Sequence, residues 1–203
     1  MTQIALPLVH SGPQGPASIV VGEGNRRVAD ALAVSQDWPF GCAVVAGPPR
    51  SGKSLFARWF ASHTGGGAID DAHLKDEVET FHAWNRARED GYPLLLTVGG
   101  EGWDIALPDL RSRVGAALHL RIGPPDDTMA ADLMLAHAAQ RGLALGEGAP
   151  AYLVPRMERS HAAIEQIVAE IDRLGLERMA PATMSIWRDA LEAVEGPVQA
   201  RLL

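Results

Sequence analysis

Eight consecutive residues, Gly47, Pro48, Pro49, Arg50, Ser51, Gly52, Lys53 and Ser54, join an apolar segment to an amphipathic one, and this junction constrains the fold more than any other feature. The stretch Gly41-Cys-Ala-Val-Val-Ala46 is short and apolar and reads as a strand buried on both faces. After the junction, apolar side chains at positions 55, 56, 59 and 60 fall on one face of a helix over 55–62. The pattern between them is G-x-x-x-x-G-K-[ST]. In a strand–turn–helix context it aims backbone N–H groups and a helix N-terminus at one point, which is what a polyphosphate requires. Lys53 then reaches the outer phosphates, and Ser54 offers a hydroxyl to Mg²⁺.

The remaining segments continue an α/β alternation. A short helix is expected over 25–34, on the spacing of Val28, Ala31 and Leu32. Gly65-Gly-Gly67 stops the helix after the loop, and Ala68-Ile69 forms a very short strand ending in Asp70 and Asp71. A polar helix follows over 76–89, with Val78, Phe81, His82 and Trp84 as its inner face. Strands are expected over 94–97 and 116–122. After Pro124-Pro125 every segment reads as helix: about 126–141, 147–157, 160–174 and 181–194. The fold class is therefore α/β, a parallel-sheet phosphate-loop core over 19–123 followed by an all-helical lid over 124–203. Residues 1–18, with three prolines and little periodicity, read as an extended arm.

Composition narrows the function. A net charge of −7 disfavours autonomous nucleic-acid binding and leaves room for DNA only indirectly, through a partner. One cysteine, Cys42, permits no disulfide within the chain, and the seven histidines show no H-x-H or H-x-x-x-H spacing for a transition metal. The N-terminus has no basic segment and no long apolar run. The expectation is a cytoplasmic protein with no membrane span. Trp59, Trp84 and Trp187 fall on apolar helical stripes and are expected in the core. Trp38 and Trp103 fall in loops, where packing is again the default.

Two further clusters carry chemistry. Asp70-Asp71 at a strand end is the natural complement of a phosphate loop: Asp70 orients Mg²⁺, and Asp71 polarises an attacking water or caps the next helix. Leu107-Pro-Asp-Leu-Arg-Ser-Arg113 precedes a strand. It reads either as a solvated basic loop or as an arginine donated across an interface to a partner's nucleotide, and spacing does not choose between Arg111 and Arg113.

With Ile19-Val-Val-Gly-Glu-Gly-Asn-Arg26 added to these motifs, the chain resembles the AAA+ domain of the DnaA group of replication initiators. It ends directly after the last lid helix, without room for the helix-turn-helix domain of DnaA. In this it is similar to the Hda-type DnaA-related regulators. Gln3-Ile-Ala-Leu6-Pro7-Leu8 looks like the peptide by which that group docks on the sliding clamp, the beta subunit of DNA polymerase III. The resemblance implies ADP or ATP with Mg²⁺ as cofactor and Ile19, Val20 and Val21 along the adenine. It implies DnaA and the clamp as partners, with Arg113 acting in trans on DnaA's ATP to restrain initiation. A homo-oligomer is left open.

The chain departs from the pattern in four places. Asp70 follows Lys53 by only 17 positions, so one strand and helix are missing and the Asp70 strand becomes an edge. The strand over 94–97 runs into Gly99 and Gly100, where the group often has an acidic residue at Gly99. Ala163 stands where a lid arginine is expected, one turn after Arg159. Gly100-Glu-Gly-Trp-Asp104 replaces the usual Asp-Arg-Pro-Pro. These changes spare the phosphate cradle and remove side chains that read a terminal phosphate. The expectation is tight nucleotide binding with weak intrinsic hydrolysis. The alternatives are an autonomous phosphate-loop ATPase or kinase of helicase-loader type, and an adaptor that binds both partners without triggering hydrolysis.

Overall fold

The computed structural model describes residues 19–100 and 102–196. Gln3, Leu6, Pro7 and Leu8 lie outside the described residues. The chain divides into two compact units, one over 24–123 and one built from residues 19–23 together with 124–196. Ile19, Val20 and Val21, grouped with the core on sequence grounds, thus fall in the unit that carries the C-terminal helices. Ile19 is buried and the two valines are half-buried, in non-strand backbone.

The first unit alternates helix and strand: α1 (Arg26–Ala33), β1 (Cys42–Ala46), α2 (Lys53–His63), β2 (Gly67–Ile69), α3 (Glu77–Asp90), β3 (Leu94–Val98), α4 (Pro108–Ala116) and β4 (Leu118–Arg121). The strands form one parallel sheet in the order β2-β3-β1-β4, with Val45 opposite Thr97, Leu96 opposite Ile69, and Ala46 opposite Arg121. The central strands are the continuous apolar runs, Cys-Ala-Val-Val-Ala and Leu-Leu-Leu-Thr-Val, because both of their faces are covered. The edge strands β2 and β4 are only partly buried, β2 at the edge expected from the short spacing after Lys53.

The helices cover the sheet with the side chains their periodicity offers. Phe56 and Phe60 of α2 are fully buried, and Trp38 stacks on Phe60 at 5.0 Å between ring centroids while its indole N–H donates to the Ala31 carbonyl at 2.8 Å. Trp38 and Trp59 are thus packing residues, as are Trp84 and Trp187 in their own units; Trp103 packs half-buried on the cluster around Leu96 and Leu110. Helix α3 is held at its start by Asp76, whose carboxylate accepts from Val78 N and Glu79 N at 2.9 Å each, and stopped by Gly91 at φ +72°. Its buried face is Thr80, Trp84 and Ala87. Of the expected inner face, Trp84 is buried and Phe81 half-buried against the same cluster, while Val78 and His82 are exposed and Thr80 and Ala87 take their places. A second correction concerns 107–113. This segment is no loop but the start of α4, entered through Pro108 at the first helical position. The strand expected from 116 accordingly begins at Leu118.

The second unit contains α5 (Asp127–Gln140), α6 (Gly148–Leu153), α7 (His161–Glu177) and α8 (Met184–Glu195). Asp126 caps α5 by accepting from Met129 N at 2.8 Å, and Ser160 caps α7 by accepting from Ala163 N at 3.1 Å. Ile164, Ile167, Val168, Ile171 and Leu174 form the buried stripe of α7 and meet Ile186, Trp187, Ala190 and Leu191 of α8. Each such aliphatic side chain contributes about 1.5–3 kcal/mol on burial. No described helix is long and apolar enough to cross a membrane.

Candidate functional site

All four strands run parallel, so their carboxyl ends share one edge of the sheet, and the phosphate loop, the paired carboxylates and the paired glycines each follow one of those ends. Residues 47–52 follow β1, Asp70 and Asp71 follow β2, and Gly99 and Gly100 follow β3.

The phosphate loop is built by backbone geometry that most side chains resist. Gly52 sits at φ +86° immediately before α2, a left-handed conformation that glycine adopts without a Cβ penalty. Arg50 is also left-handed, at φ +65°. Alternating the backbone hand in this way turns successive N–H groups toward a common point. Lys53 is buried, and its Nζ donates to the carbonyls of Gly47 and Pro48 at 2.9 Å each. The ammonium is therefore stored on the loop that it serves. Ser51 is also buried, and its hydroxyl has no hydrogen-bond partner. A Cβ on Gly47 would stand 2.9 Å from that hydroxyl, so glycine keeps the loop open there. An unpartnered buried hydroxyl, a stored ammonium and a left-handed nest together fit an anion.

Asp70 is organised by side chains of two elements, β3 and α2. The Thr97 hydroxyl on β3, fully buried, donates to Asp70 Oδ1 at 2.6 Å and accepts from Asp71 N at 2.8 Å. Ser54 on the first turn of α2 hydrogen-bonds the same carboxylate, and Arg58, one turn further along α2, adds its charge. Burial pushes the Asp70 carboxyl up, but the bonds from Ser54 and Thr97, the Arg58 guanidinium and the Asp71 N–H outweigh it and hold the group below its ordinary value. An ionised carboxylate beside a hydroxyl is a hard-oxygen donor set suited to Mg²⁺ with waters completing the shell. Asp71 takes φ +50°, uncommon for a non-glycine residue, and its side chain makes no cap to the short turn at 72–74. The helix-cap reading of Asp71 is therefore set aside: its position is fixed by the backbone bond to Thr97.

Past Asp71, His73 lies against the end of β3. Gly99 N donates to His73 Nδ1 at 3.3 Å, and a Cβ on Gly99 would stand 3.1 Å from His73 Nε2. A Cβ on Gly100 would stand 3.5 Å from the backbone of Gly47 and Pro48. The end of β3 therefore touches the phosphate loop with one glycine and the imidazole with the other. Sequence reading missed both His73 and Arg58. The signals were present: Arg58 repeats the helical face of Ser54 four residues on, and paired glycines at a strand end leave space for a neighbour's side chain.

The arginines of α4 are on the same unit but face elsewhere. Arg113 lies over the Phe81 ring of α3, 4.2 Å from its centroid, and donates to Asn85 Oδ1. Arg111 is exposed, donates through Nε to the Ile105 carbonyl at 2.7 Å and lies 3.9 Å from Asp104. Structure thus distinguishes a half-buried, stacked Arg113 from a solvent-facing Arg111. Cys42 is buried in β1, and burial pushes its thiol well up, which removes thiolate chemistry.

No family model matches the chain. Its fold is similar to that of domain III of the replication initiation protein DnaA from Thermotoga maritima, with a TM-score of 0.72 over 88% of this chain and 95% of that one at 12% identity. It is also similar to the RuvB Holliday junction branch migration motor of Thermotoga maritima, with a TM-score of 0.62 over 87% and 72% of the two chains at 16% identity. A third similar structure is AMPPCP-bound DnaA from Aquifex aeolicus, at 0.60 over 79% and 65% with 15% identity. At these identities the likeness is one of fold, an α/β parallel-sheet core followed by a helical segment.

Proposed function

We propose that this chain is a nucleotide-binding AAA+ regulator that acts, together with the sliding clamp, on the ATP held by DnaA. The single observation that carries the nucleotide half of this reading is the loop: Lys53 stored on Gly47 and Pro48, the orphan Ser51 hydroxyl, and an ionised Asp70 tied to Ser54 and Thr97. Residues 47–54 would hold the phosphates of ADP or ATP, and Ser54 with Asp70 would hold Mg²⁺, which supplies charge neutralisation between phosphate oxygens. Asp71 is assigned to the water. The glycines at 99 and 100 leave the segment after Thr97 and Val98 without a polar side chain, which favours a nucleotide held over one turned over.

The regulatory half rests on resemblance and on α4. Gln3, Leu6, Pro7 and Leu8 would engage the clamp as an extended peptide. Arg113 would serve DnaA's nucleotide in trans, where a guanidinium stabilises charge developing on the transferred phosphoryl group. For that role it must leave Phe81 and Asn85, so the arginine is a docked reserve released on partner binding.

The test is hydrolysis of ATP prebound to DnaA, with this protein and clamp loaded on DNA. Wild type should accelerate it, and Arg113→Ala and Gln3→Ala should not. Equal stimulation by all three proteins would remove both assignments. A second reading, an autonomous ATPase, is favoured by the intact Asp70–Thr97–Asp71 bonding; brisk turnover by the purified protein, abolished by Asp71→Ala, would establish it instead.

A further inference from the structure

We infer that His73 reads the terminal phosphate of the bound nucleotide, supplying a polar contact from the turn after β2 at the point where β3 is followed by two glycines. The inference rests on the nucleotide-binding reading and adds the residue by which the site tells a triphosphate from a diphosphate.

The argument is one of placement. Edges of parallel sheets present ligands with the groups that follow their strands' carboxyl ends. Here β3, a central strand beside β1, ends in two glycines. Gly100 lies against Gly47 and Pro48, the residues whose carbonyls hold the Lys53 ammonium. Gly99, next to it, has its side-chain space taken by the His73 ring, with Nε2 nearest to where a Cβ would stand. The imidazole therefore places a nitrogen in tight contact, 3.1 Å, with the position of a Cβ at 99. The ring is not placed loosely. Its turn begins at Asp71, pinned through its N–H to Thr97, and its Nδ1 accepts from Gly99 N. A neutral ring that accepts through Nδ1 carries its proton on Nε2, so the nitrogen beside Gly99 is a donor. A donor held beside Gly99, between the Asp70 turn and the end of β3, suits an anionic oxygen. The phosphate farthest from the loop's glycines, present in ATP and absent in ADP, meets that description.

The geometry separates this role from a merely structural one. The amide oxygen of an asparagine at 73 occupies the place of Nδ1 and retains the bond from Gly99, but reaches no further. A glutamine places an amide near Nε2. Binding of AMPPCP and of ADP, each with Mg²⁺, would be titrated calorimetrically for wild type, His73→Asn, His73→Gln and Lys53→Ala of the full chain. A hydrogen bond to a charged oxygen predicts that His73→Asn lowers the AMPPCP-over-ADP affinity ratio about tenfold, with ADP affinity unchanged. His73→Gln should keep the ratio within roughly threefold of wild type. An unchanged ratio in His73→Asn, or an equal loss of both nucleotides, overturns the role of His73 while wild-type, Lys53-dependent ADP binding preserves the nucleotide reading. Failure of wild type to bind either nucleotide overturns both.

Discussion

Replacing Thr97 by valine removes one oxygen and leaves the shape of the side chain almost unchanged. That oxygen carries two bonds in a fully buried position: it donates to Asp70 Oδ1 at 2.6 Å and accepts from Asp71 N at 2.8 Å. A bond to a charged acceptor contributes about 1.5–3 kcal/mol, and a stranded N–H costs about 1–3 kcal/mol. Asp70 is partly open to solvent and recovers some of its loss from water, which places the sum near 3 kcal/mol. For a protein of this length the corresponding fall in Tm is about 6–12 °C. Thr97→Ser keeps both bonds and should lose far less. Acid provides a further check. The folded Asp70 carboxyl lies below its ordinary value, so its contribution is complete above the unfolded carboxylate range near pH 3.9 and is lost as pH falls through the folded value. Valine removes one of the bonds that lower it. The gap between wild type and Thr97→Val should therefore be widest at neutral pH and narrow in acid, without vanishing, since the orphaned Asp71 N–H does not titrate. Urea unfolding at several pH values measures the gap, and hydrogen exchange at the Asp71 amide reports the bond directly. A valine variant as stable as the serine variant, or an Asp71 amide equally protected in both, would refute the view that Thr97 assembles this carboxylate turn.

Three other outcomes follow from the same contacts. Lys53→Ala should abolish binding of ADP in calorimetry while leaving the far-ultraviolet circular dichroism unchanged, because its two bonds are to carbonyls at the mouth of the loop. Arg113→Ala should lower stability in urea by about 1–2 kcal/mol through loss of the Phe81 and Asn85 contacts, and Arg113→Lys should recover only part of it, since an ammonium lacks the planar face that stacks. Cys42 should resist a thiol-specific reagent in the native protein and react fully in denaturant; rapid native labelling would mean that β1 opens far more often than its buried, central position allows.

The parts of the molecule legible in the sequence are those set by local pattern. Continuous apolar runs marked β1 and β3, a 3.6-residue stripe marked α7, and one glycine–lysine motif marked the loop, since each depends on neighbours within a few positions. What escaped depends on pairs far apart in the chain. The expected face of α3 is met at Trp84 and Phe81 but not at Val78 and His82, since the buried line runs through Thr80, Trp84 and Ala87. The helix over Pro108–Ala116 is short, with only Leu110 and Val114 buried, too few apolar positions to announce a period. Arg113 could be numbered from sequence but not placed, because Phe81 and Asn85 arrive from another helix.

The same distinction explains why losing an edge strand is tolerable while the glycines of β3 matter. The phosphate loop needs only β1 before it and α2 after it, and the carboxylate turn needs only β2 paired with β3. Both conditions are met in a sheet of four strands with β2 outermost. An edge strand beyond β2 would add cover to Gly67–Ile69 and nothing to Asp70, whose partners come from α2 and β3. Glycine at 99 acts at the centre of the site instead. Any Cβ there would press on His73 at 3.1 Å, so the ring or the backbone would have to give by a few tenths of an ångström. Residues 73 and 99 therefore form a single steric choice. Beyond Thr97, a polar side chain arrives here either from the turn after β2 or from position 99 itself, and this chain has taken the first.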